Sequence, residues 1–191
     1  VRPRRTAARP NGQLRLDYDR PKAVGRGRSF DGDVGMLVRA LTYILAMGGD
    51  GLAQASHDAV LAANYVRQNL EDVLEFPQPA PCKHEFVASA RNLPNGMKAL
   101  DLAKGLLERG FYAPTIYFPL IVPEAVMVEP TETESKATLD AFTDAVREIV
   151  QLAHDDPERL HREPTSLPVG RLDEVAAARN PVLRWRPAAA D

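Results

Sequence analysis

Two apolar, partly β-branched runs, Pro114 to Val122 (PTIYFPLIV) and Glu124 to Pro130 (EAVMVEP), lie end to end with only Pro123 between them. They read as two extended, paired strands, and so call for a small sheet in the second half of the chain. Helical periodicity brackets that sheet. Val34, Leu37, Val38, Leu41, Ile44 and Leu45 recur at i, i+3, i+4, i+7 and place one apolar stripe on a helix. Asp33 is its expected N-cap and Gly48-Gly49 its stop. A second helix from Asp50 aligns Leu52, Ala55, Ala59, Val60, Ala63, Val66 and Leu70, with alanines that allow close packing. After the proline loop Glu75 to Cys82, the stretch HEFVASA (His84 to Ala90) reads as a strand. A third helix carries Leu100, Ala103, Leu106 and Leu107 and ends at Gly110. A fourth carries Leu139, Phe142, Val146, Ile149, Val150 and Ala153 and ends near Asp155 to Pro157.

The order α, α, β, α, β, β, α, then tail, predicts an α+β layer: a short, mostly antiparallel sheet backed by helices. Residues 1–13 are expected to be a disordered basic lead-in and 14–50 a loop and linking helix. Residues 51–156 are expected to form the α+β domain and 157–191 a wrapping tail without a core element. At 191 residues and 45% hydrophobic, the chain is long enough to bury one core. Its longest uninterrupted apolar stretches fall short of the roughly 18 residues of a membrane span, and no signal peptide is visible. The lone Cys82 excludes an internal disulfide and fits a reducing compartment, with the cytoplasm as the expected location. Residues 1–28 hold nine Arg and Lys against two Asp, a net +7, so the remainder carries −9 of the overall −2. Such an arm suggests nucleic-acid or acidic partners, but it lacks the interleaved aromatics that base stacking uses.

Glu129, Glu132 and Glu134 crowd directly behind the second apolar run. Thr131 to Glu134 fits a capping box, which would occupy Glu134 in starting the fourth helix. Glu132 would then sit in the first turn, where the helix dipole favours an anion by about 0.3–1 kcal/mol. Glu129, held extended by Pro130, is left as a hydrogen-bond acceptor at a strand end. Ahead of the first helix, GRGRSFDGDVG (Gly25 to Gly35) offers Arg26, Arg28 and Ser29 as a candidate anion loop. It matches neither a Walker loop nor a Rossmann fingerprint, and Asp31 and Asp33 would repel phosphate. Cys82 and His84 stand two apart, but His57, His154 and His161 supply no metal-ligand spacing, and Ala88 occupies the place where an HExxH motif needs its second histidine. No metal site and no complete catalytic set is expected from these residues.

Several stretches nonetheless cohere: DRPKAVGRGRSFDGDVG, AVLAANYV, HEFV, ALDLAKGLLERGFYAPTIYFPLIVPEAVMVEPTETESKATLDAF and RLDEVAAARNPVLRW. Together, from Leu14 to Trp185, they resemble the C-terminal part of glycine dehydrogenase (decarboxylating) subunit 2, the P-protein of the glycine cleavage system. The resemblance implies a fold-type-I pyridoxal-phosphate enzyme, with a large parallel-sheet domain followed by a small α+β C-terminal domain. It also implies decarboxylation of glycine, with the cofactor as electron sink, and delivery of the aminomethyl group to the lipoyl arm of the H-protein. The implied partners are the large cofactor-bearing domain, the homologous subunit 1 and the H-protein. In the family the Schiff-base lysine lies in a histidine-lysine-threonine stretch. None occurs here, since Lys22, Lys83, Lys98, Lys104 and Lys136 stand in other contexts. The chain is therefore expected to be inactive alone. His84, Glu85, Thr115, Glu129 and Thr131 match the family by motif position and are the candidate site-facing residues. Departures fall at Gly27, Asp31, Asp33 and Val34 of the loop and at Tyr112, where the family often has histidine. The competing expectation is a free-standing interaction module whose basic arm binds RNA or an acidic partner, with steep salt dependence.

Overall fold

The computed structural model of the chain describes residues 6–8, 14–16, 21–22 and 32–185. They fall into two units, Val1–Gly49 and Asp50–Asp191. In the first unit, β1 (Thr6–Ala8) pairs antiparallel with β2 (Leu14–Leu16). The lead-in expected to be disordered thus contains a strand. A strand of three residues is too short to show a hydrophobic period.

Helix α1 spans Val34–Gln68 and contains one residue outside helical geometry, Gly48, at φ 64 and ψ −175. The expected break falls there, at a residue without the Cβ that makes positive φ costly. Asp33 is the N-cap, its Oδ1 accepting from the Met36 N–H at 3.2 Å. The apolar residues of the first part, from Val34 (70% exposed) to Leu45 (73% exposed), stand open. By length and composition α1 is long and apolar enough to cross a membrane, and none of the qualifying window is buried. The single-run criterion applied to the sequence misses this, because polar residues interrupt a helix whose average is apolar.

In the second unit the last turns of α1 bury Ala62, Ala63 and Val66. Strand β3 (Phe86–Ser89), strand β4 (Thr115–Ile116) and strand β5 (Ala125–Val128) form one antiparallel sheet in the order β3-β5-β4. Helix α2 (Ala99–Glu108) and helix α3 (Lys136–Asp155) cover it, joined by α4 (Pro157–Arg162). The core is built from Leu70, Leu102, Leu106, Val126, Ile149 and Leu160, each under 2% exposed except Val126 at 2%. The fold is α+β, a short antiparallel sheet backed by helices. Gly110, at φ 80, ends α2 as expected, with the Phe111 N–H bonded to the Leu106 carbonyl at 3.0 Å.

Three expectations are corrected. The first apolar run is strand for two residues only. Tyr117 and Glu124 take positive φ (61 and 49), and the chain between them turns instead of continuing the ladder. Second, α3 starts later than the glutamates suggest. Ser135 is the N-cap, its Oγ accepting from the Thr138 N–H at 3.1 Å, while Thr131 to Glu134 form a preceding turn. Third, the segment after α3 holds α4, whose Leu160 is fully buried, and α5 (Glu174–Arg179), which has no buried residue.

The segment that follows α4 is fastened by two buried acids. Glu163 receives Arg109 Nη1 at 2.8 Å, and Asp101 receives Arg171 Nη2 at 2.8 Å. Glu108 adds a third fastening by accepting the backbone N–H groups of Thr165 and Ser166 at 2.6 and 3.1 Å.

Candidate functional site

The β4–β5 pairing sets Thr115 opposite Met127. The chain then leaves β5 through Glu129, Pro130 and Thr131 before α3 begins. Because the first turn of α3 returns past the strand ends, a cleft of about 370 Å³ opens between these elements and the end of α1. Val66, Phe111, Met127, Leu139 and Phe142 form its apolar floor. Phe111 and Phe142 meet edge to face, ring centroids 5.5 Å apart at 84°, an arrangement that aromatic quadrupoles favour. Tyr112, Thr115, Glu129, Thr131, Glu134 and Thr138 supply the polar groups among the lining residues.

Three of the five candidate residues, Thr115, Glu129 and Thr131, therefore line one cleft. His84 stands beside it, Nε2 3.7 Å from Glu129 Oε1, with both side chains about half exposed. Thr131 Oγ1 lies 2.7 Å from Thr133 Oγ1. Glu85 is partly buried immediately before β3 and is not among the lining residues. Arg26, Arg28 and Ser29 lie outside the described residues. The aromatic wall was not foreseen: Phe111 follows the C-cap of α2 and Phe142 belongs to the stripe of α3, and only the fold brings them together.

The chemistry open to this cleft follows from its donors and acceptors. Two carboxylates and four hydroxyls surround an apolar floor, and no Lys, Arg or His is among the lining residues. An anionic phosphate needs cations or an array of N–H donors. The cleft does not fit pyridoxal phosphate, the cofactor that the resemblance implies. It suits a cation with an apolar body.

Cys82 is not an activated nucleophile. Burial raises its thiol above the ordinary value, the opposite of what reactivity requires. Its backbone is held by Asn64, whose Oδ1 accepts the Cys82 N–H at 3.0 Å and whose Nδ2 donates to the Cys82 carbonyl at 2.8 Å. Burial, reinforced by the charges of Glu124 and Asp101, raises the Tyr117 hydroxyl as well. No group of three or more metal-ligating side chains suited to an ion occurs among the described residues.

The family model for the C-terminal domain of glycine dehydrogenase matches residues 55–163. The span includes β3, α2, the cleft and α4. A probable glycine dehydrogenase (decarboxylating) subunit 2 of Caldanaerobacter subterraneus subsp. tengcongensis is 49% identical over 181 residues, 94% of this chain and 37% of the relative. The proteins of that description from Thermotoga maritima and Bacillus velezensis are 48% and 47% identical, over 92% and 96% of this chain and 38% of each relative. The chain thus spans well under half the length of the curated relatives it matches. Among solved structures, the inhibitor-bound P-protein of the glycine cleavage system, a glycine decarboxylase, superposes with a TM-score of 0.57 at 19% identity. The match covers 75% of this chain and 34% of that one, a likeness of fold. With a family model matched over more than half its length, this chain belongs to the glycine dehydrogenase C-terminal domain family.

Proposed function

We propose that the chain serves as the C-terminal portion of a pyridoxal-phosphate-dependent glycine dehydrogenase (aminomethyl-transferring) of the glycine cleavage system. The observation that carries this reading is the match to subunit 2 proteins at 47–49% identity over more than nine-tenths of the chain. In this reading the whole enzyme works in the cytoplasm. It decarboxylates glycine and passes the aminomethyl group to the lipoyl H-protein, with subunit 1 as its homologous partner.

The cofactor, whose ring supplies the electron sink, is held by the remainder of the enzyme. Two features support that assignment: the cleft has carboxylates where a phosphate would need cations, and no lysine of this chain stands in a histidine-lysine-threonine context. The part of this chain is then to complete the protein. The open apolar stripe of α1, Val34 to Leu45, supplies a surface that a large domain would bury. His84, half-exposed beside the cleft, supplies a polar group that would face substrate or the lipoyl arm.

Glycine-dependent release of carbon dioxide tests the proposal, with lipoylated H-protein as acceptor. The chain alone should release none. Joined with a lysine-bearing large domain and subunit 1 it should support turnover, and the same mixture without this chain should not. Equal turnover with and without the chain would refute the reading.

A further inference from the structure

The last described residues have an unusual composition for a surface segment. Helix α5 ends at Arg179 with Asn180 as its C-cap, and Pro181 prevents its continuation. Val182, Leu183 and Trp185 follow, 89%, 87% and 86% exposed. Single exposed hydrophobes need no explanation, but three within four residues, one of them the chain's sole tryptophan, make an anchor with no partner among the described residues. The sequence also sets Arg184 and Arg186 on either side of Trp185, so the anchor is an aromatic flanked by cations.

The cleft between β5 and α3 has the complementary chemistry. Its floor is apolar and aromatic, its carboxylates are Glu129 and Glu134, and no cationic side chain lines it. Its volume of about 370 Å³ lies in the range of ordinary binding pockets. Trp185 is not among its lining residues and stands open to solvent, so the chain's own anchor does not fill it.

We infer that the Asn180–Trp185 segment of a second copy of this chain seats in the cleft, with Trp185 on the Phe111–Phe142 wall and Arg184 at the Glu129 and Glu134 carboxylates. Anchor and receptor are carried by the same polypeptide. Two copies can therefore exchange tails reciprocally and close a two-fold pair without further components. Aromatic and arginine anchors in apolar pockets are what protein interfaces concentrate their energy on. The long arginine stem lets the guanidinium reach a rim carboxylate while its methylenes cover apolar surface. The inference is independent of the glycine dehydrogenase reading, since it needs only this chain.

The sole tryptophan makes the test direct. Sedimentation equilibrium and Trp185 fluorescence are followed on the 191-residue chain from low to high micromolar concentration. Mass should double as the emission moves to shorter wavelength and escapes acrylamide quenching, all with one midpoint. The paired change Glu129→Gln, Glu134→Gln alters exposed side chains and leaves the core intact. It should weaken association about three- to tenfold, while Trp185→Ala should abolish it. A Trp185 that stays exposed at every concentration would overturn the inference and leave the cleft to another occupant. Shielding without a change of mass would place the tail in its own cleft and overturn it equally. So would a dimer with exposed Trp185, or one indifferent to the paired Glu changes.

Discussion

Arg109→Ala removes the cation from one of the two buried acids that fasten α4 and the segment after it. The Glu163 side chain is 4% exposed, with Oε2 2.8 Å from Arg109 Nη1. Among the described residues its other oxygen has only Arg159 Nε, at 4.0 Å and on a side chain 64% exposed. Removing one partner of a buried ion pair typically costs about 3–5 kcal/mol, because a charge is left desolvated. Two features move the expectation to the lower end. Arg109 is itself 18% exposed, so some water already reaches the pair, and Arg159 has room to approach. The lost contact to Glu148, which is 68% exposed, adds no more than about 1 kcal/mol. The expected loss is therefore about 3 kcal/mol. Glu163→Gln keeps a hydrogen-bond acceptor beside Arg109 and should lose about 1–2 kcal/mol. In the double variant no charge is stranded, so its loss should fall short of the sum of the singles by at least about 1 kcal/mol. Urea denaturation at neutral pH, followed by far-UV circular dichroism, reads all three values if the slopes stay equal. A loss below about 1 kcal/mol for Arg109→Ala, or strictly additive losses, would refute the argument from a buried charge.

Ser135→Ala should cost about 1 kcal/mol and Thr131→Ala less than half of that, because only Ser135 caps α3; the same urea titration would detect the reverse order. At Gly105 an added Cβ would meet Ile149 and Leu160 side-chain carbons at 3.0–3.1 Å. Gly105→Ala should therefore destabilise by a net ~1 kcal/mol, overpacking of about 1–3 kcal/mol exceeding the helix gain of about 1 kcal/mol; a rise in thermal midpoint would contradict this. Hydrogen bonds from the Ser166 and Thr165 backbone hold the Glu108 carboxyl below its usual range. A lowered folded-state pKa means stability that is present above the unfolded value and lost as pH falls through the folded one. Glu108→Gln should accordingly flatten the acid side of the stability profile below about pH 4.5 and leave its slope above pH 6 unchanged, as read by urea midpoints across pH.

Helix positions were legible because their apolar residues repeat with the helical period, and Asp33, Gly48 and Gly110 punctuate them where φ and capping demand. The start of α3 was misplaced because two capping patterns overlap. Thr131 to Glu134 satisfies the local rule, but a helix begun there would carry an exposed first turn before Leu139 reaches the core, so packing selects Ser135. Helix α4 has one buried side chain, Leu160, and one residue carries no period. The cleft was half legible. Glu129 and Thr131 follow β5 directly, and Thr115 reaches them through the paired strand that the apolar runs announced. Its aromatic wall and the Arg109–Glu163 pair join residues 31 and 54 positions apart, and a periodicity argument has no reach over such separations.

The sheet order β3-β5-β4 leaves two outer strands, and each is blunted in its own way. β4 is only two residues long, follows Pro114 and gives way to a turn containing Pro119 and Pro123. It offers an incoming strand almost no free backbone. On the far side, Glu75 bridges Ser89, its carbonyl accepting the Ser89 N–H at 2.7 Å, and a proline-rich loop follows. Exposed edges are where sheets recruit further chains and grow into aggregates, and short strands and prolines are common defences. The stretch Ile116 to Val128 has the β-branched and aromatic residues of a fibril-forming segment. Its prolines and positive-φ residues let this chain keep that composition without being extended end over end by its neighbours.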